Sequence, residues 1–178
     1  MFTLRPVRHM NKQAIIAIAG LPGCGKSTVA FKLSEKLKLP VINTDVIRER
    51  LFFGEEPLEN TPENRKLIYK TLFIIADCMT SSHVGVILDG TFPYERYRTP
   101  VREIAGKYNI PCYFIECFCP ENFLKEIIEK RKEHVAESAG WDVYLWIKES
   151  FEPFTGDRYG IDTSMDIDNQ IEKIFHED

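Results

Sequence analysis

The chain has 178 residues, 44% hydrophobic and 28% charged, a soluble globular composition that excludes disordered and fibrous classes and suits one compact domain over residues 1–178. Its net charge of −4 speaks against a protein whose main task is to grip a nucleic-acid backbone, a task that calls for a basic face. The longest apolar run, Ala14 to Ala19, is far short of the roughly 20 residues that cross a bilayer, and no cleavable leader pattern follows the basic N-terminus. A cytoplasmic location without a membrane partner is therefore expected.

In chain order, Ala14 to Ala19 is a continuous apolar run ended by Gly20, the pattern of a strand buried on both faces. From Lys26 the residues Val29, Ala30, Leu33 and Leu37 fall at helical spacing until Pro40. Val41 to Asn43 reads as a second strand, followed by a helix from Asp45 to Phe52 and a loop from Gly54 to Pro62. Leu67, Ile68, Leu72, Ile75, Ala76 and Met79 predict a helix from Glu63 to Ser82, and Val84 to Leu88 a third strand that ends in Asp89. A helix from Tyr94 to Tyr108 precedes a fourth strand, Cys112 to Phe118; then come a helix from Glu121 to Lys132, a polar stretch, and an aromatic helix from Trp141 to Phe151. Tyr159 to Asp162 is a fifth strand, and Asp166 caps a last helix carrying Ile167, Ile171, Ile174 and Phe175.

Strands alternating with helices predict an α/β fold, a parallel sheet with helices on both faces, and such sheets bind ligands at the carboxyl ends of their strands. The cysteines Cys24, Cys78, Cys112, Cys117 and Cys119 are odd in number and mostly lie within apolar segments, so all five are expected as reduced thiols. Cys117 and Cys119 match no zinc spacing.

Gly20-Leu21-Pro22-Gly23-Cys24-Gly25-Lys26-Ser27 satisfies G-x-x-x-x-G-K-[ST] between a buried strand and an amphipathic helix. Glycines let successive backbone N–H groups converge on a polyphosphate at the positive end of a helix. Lys26 then reaches the β- and γ-phosphates of ATP, and Ser27 offers an oxygen to Mg²⁺. Asp45 and Arg48 follow the second strand at three-residue spacing, on one helix face; a helix-capping role for Asp45 is the competing reading. Asp89 ends an apolar strand where a carboxylate would face the same cleft. Thr91 and Arg96 are weaker candidates for acceptor contact. Arg131 prolongs the row of Phe123 and Ile127 at the end of its helix, and the segment that follows reads as a lid, roughly residues 131–153. Favourable interaction with the helix C-terminus is the alternative role for Arg131. The aromatics Trp141, Tyr144 and Trp146 suit packing better than substrate stacking.

With Gly20 to Thr28, then Asn43-Thr44-Asp45-Val46-Ile47-Arg48, then Val86-Ile87-Leu88-Asp89-Gly90-Thr91-Phe92, nearly the whole chain resembles the P-loop kinase family that holds domains related to polynucleotide 5′-kinase, gluconate kinase and adenylylsulfate kinase. The resemblance implies the P-loop NTPase three-layer fold, a five-stranded parallel sheet with a small helical lid. It implies ATP and Mg²⁺ as cofactors, Asp45 as the base that contacts the acceptor hydroxyl, Arg48 as a hold on acceptor or phosphate, and Arg131 as a lid arginine. Asp89 resembles a Walker-B position and joins Ser27 as a metal-site candidate. Gly54 to Leu58 and Asn64-Arg65-Lys66 resemble the acceptor-side segment of gluconate and adenylylsulfate kinases, whereas the lysine-rich lid segment usual in the latter is missing.

The expected activity is transfer of the γ-phosphoryl group to a hydroxyl of a small-molecule acceptor. An adenylylsulfate kinase-like or polynucleotide 5′-hydroxyl kinase activity, and a non-kinase ATP-binding regulatory module, are the alternatives. Glu55, Glu56 and Glu59 in the loop before Pro62 would repel a polynucleotide.

Overall fold

A computed structural model describes residues 7–8, 13–51, 61–134 and 141–176. A five-stranded sheet is built from β2 (Ile15–Ala19), β3 (Val41–Asn43), β4 (Val86–Asp89), β5 (Cys112–Phe118) and β6 (Tyr159–Asp162), preceded by the short β1 (Val7–Arg8). The strand order is β3-β4-β2-β5-β6, and every pairing is parallel. The chain leaves β2 for the β3 edge, returns to insert β4, then crosses to the other side for β5. β2 is therefore the point where the winding reverses, and a crevice opens beyond its carboxyl end.

All of β2 is shut from water, and its side chains alternate between two cores. Ile16 and Ile18 meet Val29, Ala30 and Leu33 of α1 (Lys26–Leu37) and Ile171 and Ile174 of the C-terminal helix. Ile15, Ala17 and Ala19 face Leu72 and Ala76 of α3 (Pro62–Ser81) and Val101 and Ala105 of α4 (Glu95–Lys107). Burying one such aliphatic side chain stabilises by about 1.5–3 kcal/mol, so the continuous apolar run follows from helices covering both faces.

The remaining helices are α2 (Thr44–Leu51), α5 (Glu121–His134), α6 (Trp141–Ser150) and α7 (Ile167–Ile174). Local chemistry starts several of them. Asp166 accepts from Asn169 N at 3.1 Å, as the sequence predicts, while Thr61 accepts from Asn64 N at 3.2 Å with Pro62, read from the sequence as loop, in the first turn of α3. After α1, Lys38 takes a left-handed conformation (φ 57°) as the C-cap and turns the chain towards β3.

Three differences from the sequence reading stand out. β4 begins at Val86, because His83 at φ 62° and the following residues form the turn that leaves α3. Phe175 leaves α7 and pairs as β7 (Phe175–His176) with β1 in a second, two-stranded parallel sheet; two residues per strand are too few for a periodic signal. The helix after β3 begins at Thr44, with Asn43 rather than Asp45 accepting at its start. Residues 52–60, with Glu55, Glu56 and Glu59 of the predicted loop, and 135–140 of the predicted lid lie outside the described residues. Among the described residues no helix is long and apolar enough to cross a membrane, and Cys24, Cys78, Cys112, Cys117 and Cys119 are all free thiols.

Candidate active site

The phosphate loop leaves the buried end of β2 through Gly20, at φ 144°. A Cβ there would stand 2.4 Å from the Cys117 carbonyl oxygen and 2.7 Å from Cys24 Sγ, so only glycine lets the loop turn so close to β5. The loop ends at Gly25 (φ 80°), the N-cap of α1, which gives that helix no side-chain cap, and no acidic residue stands in the first turn. The N–H groups that open α1 thus receive no acceptor from the N-cap side chain and sit at the positive end of the helix, an arrangement suited to an anion.

Lys26 Nζ folds back to donate to Leu21 O at 2.8 Å, so the ammonium lies across the loop it closes. On the other flank, Thr163 Oγ1 from the β6–α7 connection donates to Cys24 O at 3.0 Å, while Thr163 N donates to Phe118 O at 2.9 Å. Burial pushes the thiols of Cys24 and Cys117 above their usual range, so both behave as packing groups rather than nucleophiles.

Asp89 closes β4, only 2% exposed, in register with Ile18 of β2 and Asn43 of β3. Burial raises its carboxyl above the ordinary aspartate range, against the opposing pull of a Ser27 hydrogen bond, the Lys26 charge and Asn43. The metal-site candidates Ser27 and Asp89 are thus brought together. Asn43 Nδ2 donates to Asp89 Oδ2 at 2.6 Å, while its Oδ1 accepts from Asp45 N at 2.7 Å and Val46 N at 3.1 Å. One asparagine therefore ties the buried carboxylate to the start of α2. Sequence reasoning treated Asn43 as the end of a strand and part of a motif; an asparagine just before a helix is an N-cap signal that could have found it.

Asp45 is exposed in the first turn of α2, and its charge reaches Asp89 and Tyr69. Arg48, half-buried on the same helix, has its Nε shut from solvent, with no hydrogen-bond partner among the described residues. Thr91 participates through its backbone: its carbonyl accepts from Gly20 N at 3.2 Å, linking the loop after β4 to the phosphate loop. Arg96 is exposed and lies over the rings of Tyr94 (4.3 Å) and Tyr97 (5.3 Å). Arg131 stands in the backbone of the last turn of α5, and its side chain lies outside what the structure describes.

Two residues that the sequence did not single out shape the side of the crevice opposite the phosphate loop. Tyr69 of α3 is 4% exposed and stacks on Tyr97 at 3.9 Å; its hydroxyl accepts from Phe92 N at 2.8 Å. Arg98 is fully buried beneath the same loop. Tyr69 and Arg98 sit within or beside helical apolar rows, where the pattern reads as core or surface and gives no functional signal. In α6, Trp141 stacks on the buried Tyr144 (4.5 Å), in keeping with packing, but Trp146 is half-exposed and lies over the Arg65 guanidinium of α3 at 4.8 Å.

A family model described as an AAA domain matches residues 15–154. A curated relative, a probable adenylyl-sulfate kinase of Aeropyrum pernix, is 28% identical over 152 residues, spanning 83% of this chain and 76% of that protein. Among solved structures, a gluconokinase from Sinorhizobium meliloti 1021 superposes with a TM-score of 0.69 at 18% identity, covering 93% of this chain and 91% of its own. Chaetomium thermophilum Kti12 in complex with ADP-AlF3 superposes with a TM-score of 0.73 at 19% identity, covering 90% and 95%. At such identities the structures bear on the fold alone, and they share it over most of the chain. With the family match running from β2 through the phosphate loop to the connection beyond α6, the chain belongs to the AAA domain family, carried here on the P-loop kinase fold.

Proposed function

We propose that this chain is an ATP-dependent kinase that transfers the γ-phosphoryl group to a hydroxyl of a small-molecule acceptor. The observation that carries the proposal is the meeting of Ser27 with Asp89 inside the field of Lys26, at the uncapped start of α1, with the Asp45 charge close enough to act on the same carboxylate. The adenylyl-sulfate kinase relationship supports a phosphotransferase chemistry.

The uncapped N–H groups of α1 and the residues from Gly20 to Thr28 receive the polyphosphate, and Lys26 exchanges the Leu21 carbonyl for phosphate oxygens. Asp89, buried with a hydroxyl and an amide on its oxygens and pushed towards its neutral form, fits a hard divalent cation shared with Ser27. Mg²⁺ held there would neutralise charge on the β- and γ-phosphate oxygens. Asp45 orients the acceptor hydroxyl and takes its proton, Arg48 supplies its unmatched donor to an anionic group of acceptor or phosphate, and Arg131 acts from the end of α5 on the transferring group.

Incubating the protein with γ-labelled ATP and pools of sugars, sugar acids, nucleosides, adenylylsulfate and 5′-hydroxyl oligonucleotides at low salt tests the reading. Label should appear in one small molecule, with ATP turnover that depends on it. Labelling of the oligonucleotide alone would make the chain a polynucleotide kinase, and ATP binding with no acceptor-dependent turnover in any pool would make it a nucleotide-binding regulatory module.

A further inference from the structure

Arg98 takes no part in the chemistry above, yet among the described residues it is the largest side chain that the fold removes from water completely. A guanidinium so buried is costly unless its donors are matched. Here they are matched by main-chain carbonyls of two separate segments. On one side Nε donates to Phe92 O at 2.9 Å and Nη2 to Pro93 O at 3.3 Å, in the loop after Asp89. On the other, Nη2 donates to Glu152 O at 2.8 Å and Nη1 to Pro153 O at 3.0 Å, just beyond the last turn of α6. The ring centres of Phe154 and Phe151 lie 3.8 and 5.1 Å from the guanidinium carbon, and the Glu95 carboxylate lies 3.5 Å from Nη1. The planar fork is the one side-chain shape that holds this many acceptors at fixed angles.

The same seam is crossed three times more, by Glu152 N donating to Pro93 O at 2.8 Å, by Glu95 N donating to Glu152 Oε2 at 2.5 Å and by Tyr94 Oη donating to Ser150 Oγ at 3.1 Å. Each clamped segment leads somewhere. Phe92 is held at φ 45°, a conformation a phenylalanine keeps only when its surroundings impose it, and Tyr69 secures its N–H. Next to it, the Thr91 carbonyl accepts from the first glycine of the phosphate loop. In the other direction lies α6, which carries both tryptophans of the chain, Trp141 and Trp146, and reaches α3 through Trp146 and Arg65.

We propose that Arg98 is a positioning residue that locks the loop after Asp89 to the foot of α6, so that nucleotide on the phosphate loop is felt at α6 through Gly20, Thr91, Phe92 and Arg98. The inference rests on the nucleotide-binding reading of that loop. Because both tryptophans lie on α6, tryptophan emission excited selectively over the tyrosines reports that helix and the groups packed against it. The experiment titrates MgADP into the full-length wild type, Arg98→Lys and Tyr94→Phe, reading tryptophan emission and, separately, affinity by calorimetry. Wild type should show a saturable emission change. Arg98→Lys, which keeps the charge but loses the fork, should bind MgADP within about threefold of wild type while its emission change falls to less than half. Tyr94→Phe should fall between the two.

A wild type that binds MgADP with no emission change, or an Arg98→Lys that binds and responds fully, overturns the coupling. Should Arg98→Lys fail to fold by circular dichroism, a full response in Tyr94→Phe overturns it in its place. Absence of calorimetric binding in the wild type would instead strike the nucleotide reading itself, and the coupling with it.

Discussion

The two banks of the crevice beyond β2 are built on different plans. On the phosphate side, the groups that would face a ligand are main-chain N–H groups and one lysine from a single contiguous stretch, Gly20 to Thr28. The opposite bank is held by side chains drawn from the end of β3, α2, α3, the loop after β4 and α6. A backbone-built site depends on conformation and therefore on glycine; a side-chain-built site depends on which elements pack together. The difference means that mutations on the two banks should fail in different ways.

The largest effect is expected at Lys26. Lys26→Ala should lower phosphoryl transfer on the order of 10³-fold, because a fixed cation facing developing charge has been removed. Steady-state kinetics with any identified acceptor checks this, and near wild-type turnover would remove the phosphate loop from the mechanism. On the opposite bank, Asp45→Asn should lower acceptor phosphorylation on the order of 10²-fold with MgADP affinity unchanged. A loss of nucleotide affinity instead would tie Asp45 to the phosphate bank through Asn43 and blur the division.

Gly20→Ala should act on folding, destabilising by about 2 kcal/mol or more, since the new methyl meets the Cys117 carbonyl in a backbone conformation that disfavours any side chain. A urea denaturation midpoint near wild type would show that the loop relaxes more freely than its geometry implies.

The smallest effect has the opposite sign. Burial raises the Asp89 carboxyl, so the folded state holds its proton more tightly than the unfolded chain does. Stability contributed by the protonated form is then lost as pH rises from the ordinary aspartate range through the raised folded value. Asp89→Asn removes that loss. In the absence of nucleotide and magnesium it should stabilise the fold above this window, with no gain below it. Thermal melts across pH check the sign, while activity should collapse.

Much of this molecule is legible in its amino-acid order. The all-apolar β2 required cover on both faces, the glycine spacing implied a phosphate-binding turn, and Pro40 and Asp166 marked helix boundaries, because each acts over a few residues through backbone geometry or capping. Asp89 was legible as the polar end of an apolar strand, but its burial and its meeting with Ser27 follow from β4 pairing beside β2, a neighbour distant in sequence. The same holds for Asn43, a helix cap by local rule that becomes a partner of Asp89 only through the β3–β4 register.

Arg98 and Tyr69 lay hidden for a further reason. An arginine in an amphipathic helix reads as surface and a tyrosine as core, and what distinguishes these two is the set of carbonyl and amide groups brought to them by chain segments far away. Local order can dictate a loop that presents its own backbone to a phosphate; only the packed fold can deliver four carbonyls to one buried guanidinium, because matching those donors is a property of the space between elements and not of any one of them.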